Sequence, residues 1–235
     1  MEFIQDIKEK ARQSNKRIIF PEGTERRVLE ACRIIKEENI VTPILVGNKE
    51  EIGKQMQELN YEAEIRDPKD EDTEELANIF FDLRKHKGIT IEQARETMKD
   101  EEYFATLLLH KGEVDGLVSG STHTTADTLR PALQIIKTEE NIKTASSFFI
   151  MIKDKVFLFA DCGFNVNPDP EQLAEIAFST TQSARFFNMD PKLAFLSFST
   201  KGSADHEDAE KVKKAVEIFK SKNPNCLFDG ELQLD

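Results

Sequence analysis

Short apolar runs rich in β-branched residues alternate along this chain with longer segments whose apolar positions recur at helical spacing. A helical period over Phe3–Gln13 leads into a strand at Arg17–Phe20, RIIF. Pro21-Glu22-Gly23-Thr24 predicts a turn, with Thr24 as N-cap of a helix over Glu25–Glu37. A strand at Thr42–Val46, a helix at Lys49–Leu59 and a strand at Glu62–Arg66 follow. From about Asp72 to Lys111 the pattern is strongly helical, with one break at Gly88. Val114–Ser119 is the next strand, followed by a Gly/Ser/Thr loop and a helix into Ile136.

Polar Lys137–Thr144 marks a junction, which divides the chain into a first domain over 1–140 and a second over 141–235. Ser146–Ile152 and Lys155–Phe159 form a hairpin-related pair around Lys153-Asp154. Asp169-Pro170-Glu171-Gln172 predicts a helix start, with Asp as N-cap, Pro at N1 and Gln at N3. That helix extends towards Phe187. Lys192–Phe198 is a strand, Glu207–Ser221 a helix, and Asn225–Leu234 a further strand. Strands alternating with helices imply βαβ units and a mostly parallel sheet, so the fold class is α/β with two domains.

Composition narrows the functional classes. Hydrophobic residues at 39%, charged residues at 32% and 17 Phe describe a globular protein with a substantial core. No apolar run reaches the ~18 residues of a membrane span, and MEFIQDIKEKARQ fits neither a signal nor a transit peptide. The expected location is the cytoplasm. The net charge of −12 without any Lys/Arg block argues against a nucleic-acid or membrane partner. A small anionic substrate is still allowed, because a few basic groups set the field of a cleft. Cys32, Cys162 and Cys226 show no CxxC pairing, and the His residues are scattered, so neither a disulfide framework nor a metal site is expected.

Open α/β sheets bind ligands where strand ends meet helix N-termini, and those termini favour phosphate. Ser119-Gly120-Ser121-Thr122-His123-Thr124-Thr125 occupies such a place. Gly120 permits close backbone approach, and Ser121, Thr124 and Thr125 add hydroxyls. Arg130 follows within the helix and offers a planar fork for phosphate. Pro131 belongs in a first turn, which predicts Asp127 or Thr128 as the cap. Equally, the loop is an ordinary helix cap and Arg130 a solvated side chain; the local pattern weighs the two evenly. Arg84, in the basic stretch before Gly88, reads first as a complement to a helix C-terminus and second as an anion ligand. Ser199 and Thr200, after another strand, either line the opposite wall of a cleft or sit in a plain strand-to-helix loop. GNKEEIGK at Gly47–Lys54 has one residue too many for a P-loop, and no GxGxxG, HExxH or GxSxG is present.

Together these segments resemble the phosphate acetyltransferase family. The likeness runs through RIIFPEGTERRVLEAC at Arg17–Cys32, GLVSGSTHTTADTLRPALQIIKT at Gly116–Thr138 and FADCGFNVNPDPEQLAE at Phe159–Glu175. It continues in LAFLSFSTKG at Leu193–Gly202 and FDGELQLD at Phe228–Asp235. The resemblance implies two three-layer α/β domains of the isocitrate/isopropylmalate dehydrogenase-like type, a homodimer, and an active site between domains. It implies reversible acetyl transfer between coenzyme A and phosphate, with CoA and acetyl-CoA as substrates and no bound cofactor. Family arginines that handle phosphate and the coenzyme fall on Arg130 and Arg84, and family phosphate contacts on Ser121, Thr124 and Thr125. Family members run on past the GELQ strand to a Ser-Arg pair and an Asp assigned to catalysis. The second domain is therefore expected to be incomplete, and these 235 residues alone to transfer little.

A CoA-type thiol with a pKa near ~8.5 benefits from a general base, a contribution of roughly 10²–10⁴-fold. That expectation favours direct attack in a ternary complex over an acetyl-Cys162 intermediate, since no His partner for Cys162 is visible. Phosphate butyryltransferase and a non-catalytic CoA- or phosphate-binding module are the alternatives; a dehydrogenase lacks its nicotinamide motif.

Overall fold

A computed structural model describes residues 2–234. The chain divides into two compact units, Met1–Lys137 and Thr138–Asp235.

The first unit is built on four parallel strands, β1 (Arg17–Phe20), β2 (Thr42–Val46), β3 (Glu64–Arg66) and β4 (Gly116–Leu117), in the order β3-β2-β1-β4. Alternation along the two central strands decides the layers. Ile19 on β1 and Ile44 and Val46 on β2 face one core. That core is closed by α4 (Glu74–Arg84), α5 (Ile91–Thr97), α6 (Glu101–Lys111) and α7 (Thr125–Ile135), through Leu76, Phe80, Met98, Phe104 and Ile135. Phe20 and Leu45 point the other way, onto Leu29 and Cys32 of α2 (Arg26–Glu37) and Ile52 and Met56 of α3 (Lys49–Glu58). The result is a three-layer, doubly wound unit. An additional helix, α1 (Glu2–Ser14), is tied to Glu38 by Lys8 and Arg12. The chain runs from β1 outward to β3, then crosses back to place β4 on the far side of β1. The switch point therefore lies between β1 and β4, whose carboxyl ends are the expected ligand position.

Several boundaries differ from those expected. The α2 cap is Glu25 rather than Thr24, because the Glu25 carboxylate accepts from the Arg27 backbone N–H and is held by the Arg27 guanidinium at 2.7 Å. The long helical stretch breaks twice, at Gly88 and again before α6. There Asp100 caps the next helix by accepting from the N–H groups of Glu102 and Tyr103. Thr124, not Asp127 or Thr128, caps α7: its hydroxyl accepts from the Asp127 N–H and donates to the Asp127 carboxylate. Pro131 consequently lies inside the helix, where Asp127 C=O loses its usual acceptor role.

The second unit carries an antiparallel pair, β5 (Phe148–Ile152) with β6 (Val156–Ala160), and a parallel pair, β7 (Lys192–Leu196) with β8 (Leu227–Leu232). Among the described residues these remain two separate sheets, so the three-layer arrangement expected of both domains is present in the first. Helices α8 (Pro170–Phe186) and α9 (Glu207–Ser221) pack Ala174, Ala177, Val212, Ala215 and Phe219 against Phe195 of β7. Asp169 and Gln172 form the reciprocal capping box expected at the start of α8.

Gly23, in the turn between β1 and α2, donates its N–H to Val46 C=O at 2.9 Å. A methyl group there meets that oxygen at 2.5 Å and Ile52 Cδ1 at 2.9 Å, whereas one on Gly53, inside α3, meets nothing within 4 Å. Gly23→Ala is expected to destabilise by about 2–3 kcal/mol, and Gly53→Ala to stabilise by about 0.5–1 kcal/mol. Urea midpoints of the two variants check both signs.

Candidate functional site

The loop after β4 wraps around a single carboxylate. Glu22, two residues beyond β1, has a side chain only 3% exposed. Its Oε2 accepts from the N–H groups of Gly120 at 3.0 Å and Ser121 at 2.7 Å. Its Oε1 accepts from the N–H groups of Thr122 at 2.6 Å and His123 at 3.0 Å, and from the Thr122 hydroxyl at 2.8 Å. His123 Nδ1 stands 3.0 Å from the same oxygen. Four consecutive amides can converge in this way because Gly120 adopts φ +103°, a backbone conformation that other residues reach only with strain. Burial works to raise the pKa of Glu22, but the bonds from Thr122, Ser121 and His123 outweigh it and hold the group at about 2.

Two further acids stand beside it, both from the first turn of α6. Glu102 is buried; its Oε1 accepts from the Ser119 hydroxyl and lies 3.2 Å from His123 Nδ1. Burial raises its pKa against those bonds. Glu101 is pushed up to about 7, by burial first and by the charge of Asp67 second. It shares an open pocket of about 320 Å³ with Glu22, Thr24, Glu25, Thr122 and His123.

Among the described residues, Glu22, Glu102 and His123 each bring one ligand atom within 4.8 Å of the others. The scattered appearance of the histidines in sequence concealed this cluster. Its donor set fits a metal ion poorly, since Glu22 Oε1 already receives three hydrogen bonds besides the contact with His123. The arrangement is chemically a clamp on the loop.

The clamp decides what the neighbouring residues can offer. The amides of 120–123 are spent on Glu22, so an anion arriving from solvent meets side chains and the α7 N-terminus instead. Ser121 is half-buried, while Thr124 and Thr125 are exposed at that N-terminus. Arg130, on the second turn of α7, is 57% exposed and pairs only distantly with Asp127, at 3.7 Å. Arg84 ends α4. Burial raises the pKa of the Tyr103 phenol, which donates to Gln134 at 3.1 Å, and the charges of Arg130 and Arg84 oppose that rise. Among the described residues, Arg84 and Arg130 are the arginines that donate no hydrogen bond. By contrast, Arg66 is locked by two 2.5 Å bonds to Glu71.

In the second unit Ser199 is fully buried, and its hydroxyl donates to Glu231 at 3.0 Å. The Thr200 hydroxyl bonds with Gln233, donating to its side chain at 3.2 Å and accepting from its N–H at 2.9 Å. Cys162 Sγ donates to the Ser147 hydroxyl at 3.2 Å, with no histidine among its partners. Sequence reasoning missed Glu22, Glu102 and His123. The PEG turn following a strand was their one visible signal.

A doubly wound unit with hydroxyls and a helix N-terminus beside its switch point is the setting in which α/β folds bind phosphate-bearing ligands. The chain belongs to the phosphate acetyl/butaryl transferase family, whose pattern matches residues 2–235. It is 48% identical to the phosphate acetyltransferase of Thermoanaerobacterium thermosaccharolyticum, over 100% of this chain and 75% of that protein. It is likewise 48% identical to that of Clostridium acetobutylicum, over 100% of this chain and 74% of the relative. A phosphotransacetylase structure from Streptococcus pyogenes superposes with a TM-score of 0.93 at 40% identity, covering 100% of this chain and 73% of that one.

The acids give opposite pH dependences. Glu22, near 2 when folded and 4.5 ordinarily, contributes stability that is complete above about pH 4.5 and lost as pH falls towards 2. Glu101, near 7 when folded, keeps its proton longer in the fold, so stability declines as pH rises from 4.5 through 7. Glu101→Gln is expected to flatten that decline, by about 3 kcal/mol at most. Parallel urea titrations from pH 4 to 8 that superpose for variant and parent refute it.

Proposed function

We propose that this chain catalyses the reversible transfer of acetyl between coenzyme A and phosphate, with the β4–α7 segment on the phosphate side. The observation that carries the reading is that Arg84 and Arg130, whose guanidinium groups donate no hydrogen bond, belong to the unit that presents the exposed Thr124 and Thr125 at the start of α7, with Arg130 57% exposed on the same helix. A guanidinium that donates no hydrogen bond to a carboxylate keeps its donor fork for a phosphoryl group. Arg130 stabilises charge on the departing phosphate, Ser121, Thr124 and Thr125 supply hydroxyl donors, and Arg84 serves the second anionic substrate. Holding the two substrates side by side supplies much of the remaining acceleration. Cys162 is left outside the chemistry, because its hydrogen-bond partner is a serine and no base adjoins it. Ser199 enters this reading as a support of its loop through Glu231, and Thr200, half-buried with its hydroxyl engaged by Gln233, as a support of the same loop.

Acetyl is preferred to butyryl in this reading because the relatives matched at 48% identity are phosphate acetyltransferases. The likeness to those enzymes also supports isocitrate/isopropylmalate dehydrogenase-like domains, a homodimer and a cytoplasmic location. The exposed apolar side chains of Phe149, Met151, Phe157 and Phe159 on the β5–β6 pair suit a dimer contact.

In a form with the full length of its relatives, Arg130→Ala is expected to lower kcat/KM for acetyl phosphate by about 10²–10³-fold, with Arg130→Lys intermediate. In that form Cys162→Ala should retain much of the activity. Steady-state rates with acetyl and butyryl phosphate test all three statements. A preference for butyryl phosphate turns the assignment to a butyryltransferase, and an unchanged Arg130→Ala removes that residue from the site.

A further inference from the structure

We propose that Glu22 is a positioning residue, a built-in anion that fills the amide nest of Gly120–His123 and so reserves substrate phosphate for the hydroxyls and arginines outside it. The inference rests on the β4–α7 segment being the phosphate side. Four successive N–H groups aimed at one point form the kind of concavity that elsewhere binds phosphate directly. Here the point is occupied by a carboxylate from a different strand end, at 2.6–3.0 Å from every amide. The Thr122 hydroxyl and His123 Nδ1 complete its surroundings. The loop is thereby pinned to β1, and Thr124 is left to cap α7 with its hydroxyl.

Glu22→Gln retains the shape of the side chain but replaces one acceptor oxygen with an NH₂ group. That group faces donors whichever way the amide is turned, so about half of the nest is lost. Glu22→Ala empties the nest, leaving a cavity that a small carboxylate can enter.

The experiment compares the parent protein, Glu22→Gln, Glu22→Ala and Arg130→Ala. Affinity for inorganic phosphate is measured calorimetrically, and the backbone amide resonances of 120–123 are followed by NMR. Sodium formate is added in one arm and sodium chloride at equal ionic strength in the other. Phosphate binding by Glu22→Gln is expected to weaken about tenfold. Glu22→Ala should behave similarly in chloride and recover to within about threefold of the parent in formate. Formate should shift the four amides in Glu22→Ala and leave those of the parent unmoved. A merely structural loss of stability gives no such formate-specific response. Parent-like affinity in both Glu22 variants, or an absence of formate shifts in folded Glu22→Ala, overturns the proposal. Should Glu22→Ala fail to fold, an unweakened Glu22→Gln alone overturns it. An Arg130→Ala protein with undiminished phosphate affinity strikes instead at the reading of the site, so the two failures are told apart.

Discussion

A carboxylate cannot be taken out of water without partners, and at the switch point of the first unit that requirement fixes the backbone. Glu22 is 3% exposed, and four amides, a hydroxyl and an imidazole surround it. The desolvation penalty and the hydrogen bonds are each large, and the outcome depends on the bonds winning. That victory needs Gly120 in the left-handed region and the amides of 120–123 all turned inward. With the amides committed, the loop's chemistry towards solvent becomes a matter of side chains. The start of α7 follows, because Thr124 is the first residue beyond the clamp whose hydroxyl can reach the Asp127 N–H.

The second unit solves the same problem twice. Asp161, just past β6, accepts from Ser147, Gly163, Phe164 and Asn165, and although burial opposes it, these bonds hold its pKa well below the usual carboxylate range. Glu231 on β8 accepts from the N–H of Gly202 and the hydroxyl of Ser199, fixing the loop after β7; the Gly202 bond is the chief cause of its lowered pKa. Strand-end loops in α/β folds must be irregular enough to present side chains and still hold one shape. An acid shielded from water that consumes backbone and hydroxyl donors of the loop meets both needs, and in each case it comes from a different segment of the chain than the loop it fixes, or from the loop's own hinge.

This arrangement explains what could be read from the sequence. The limits of β1 and β2 were legible because their apolar pattern is short and sharply bounded, and the start of α8 because Asp169, Pro170 and Gln172 signal a cap within four residues. The local pattern left Arg130 evenly balanced between anion ligand and solvated side chain, and Arg84 weighted towards a helix-end complement; family likeness favoured the anion reading of both, and their lack of side-chain hydrogen-bond partners is a property of the folded chain. Glu22 was illegible. In sequence it is one polar residue in a turn, and its partners are 98 to 101 positions away. Local rules also misplaced the α7 cap, because they judged Pro131 by its intolerance of a helix interior. The Thr124–Asp127 contact fixes the start of the helix earlier and accepts the lost bond.

Charge distribution makes the same point at larger scale. A chain of net charge −12 is an unpromising host for phosphate and coenzyme A when judged by its total. What matters is which cations remain uncommitted. Arg17, Arg26, Arg33, Arg66 and Arg95 all donate to carboxylates within the first unit, so they add rigidity and little attractive field. Glu22 is neutralised in effect by the dipoles around it, and Glu101, with its pKa near 7, carries only part of a charge at neutral pH. The acids beside the switch point therefore repel an approaching anion less than their number suggests. In the proposed reading, Arg84 and Arg130, bound to no carboxylate by a hydrogen bond, are the guanidinium charges left for an approaching phosphate.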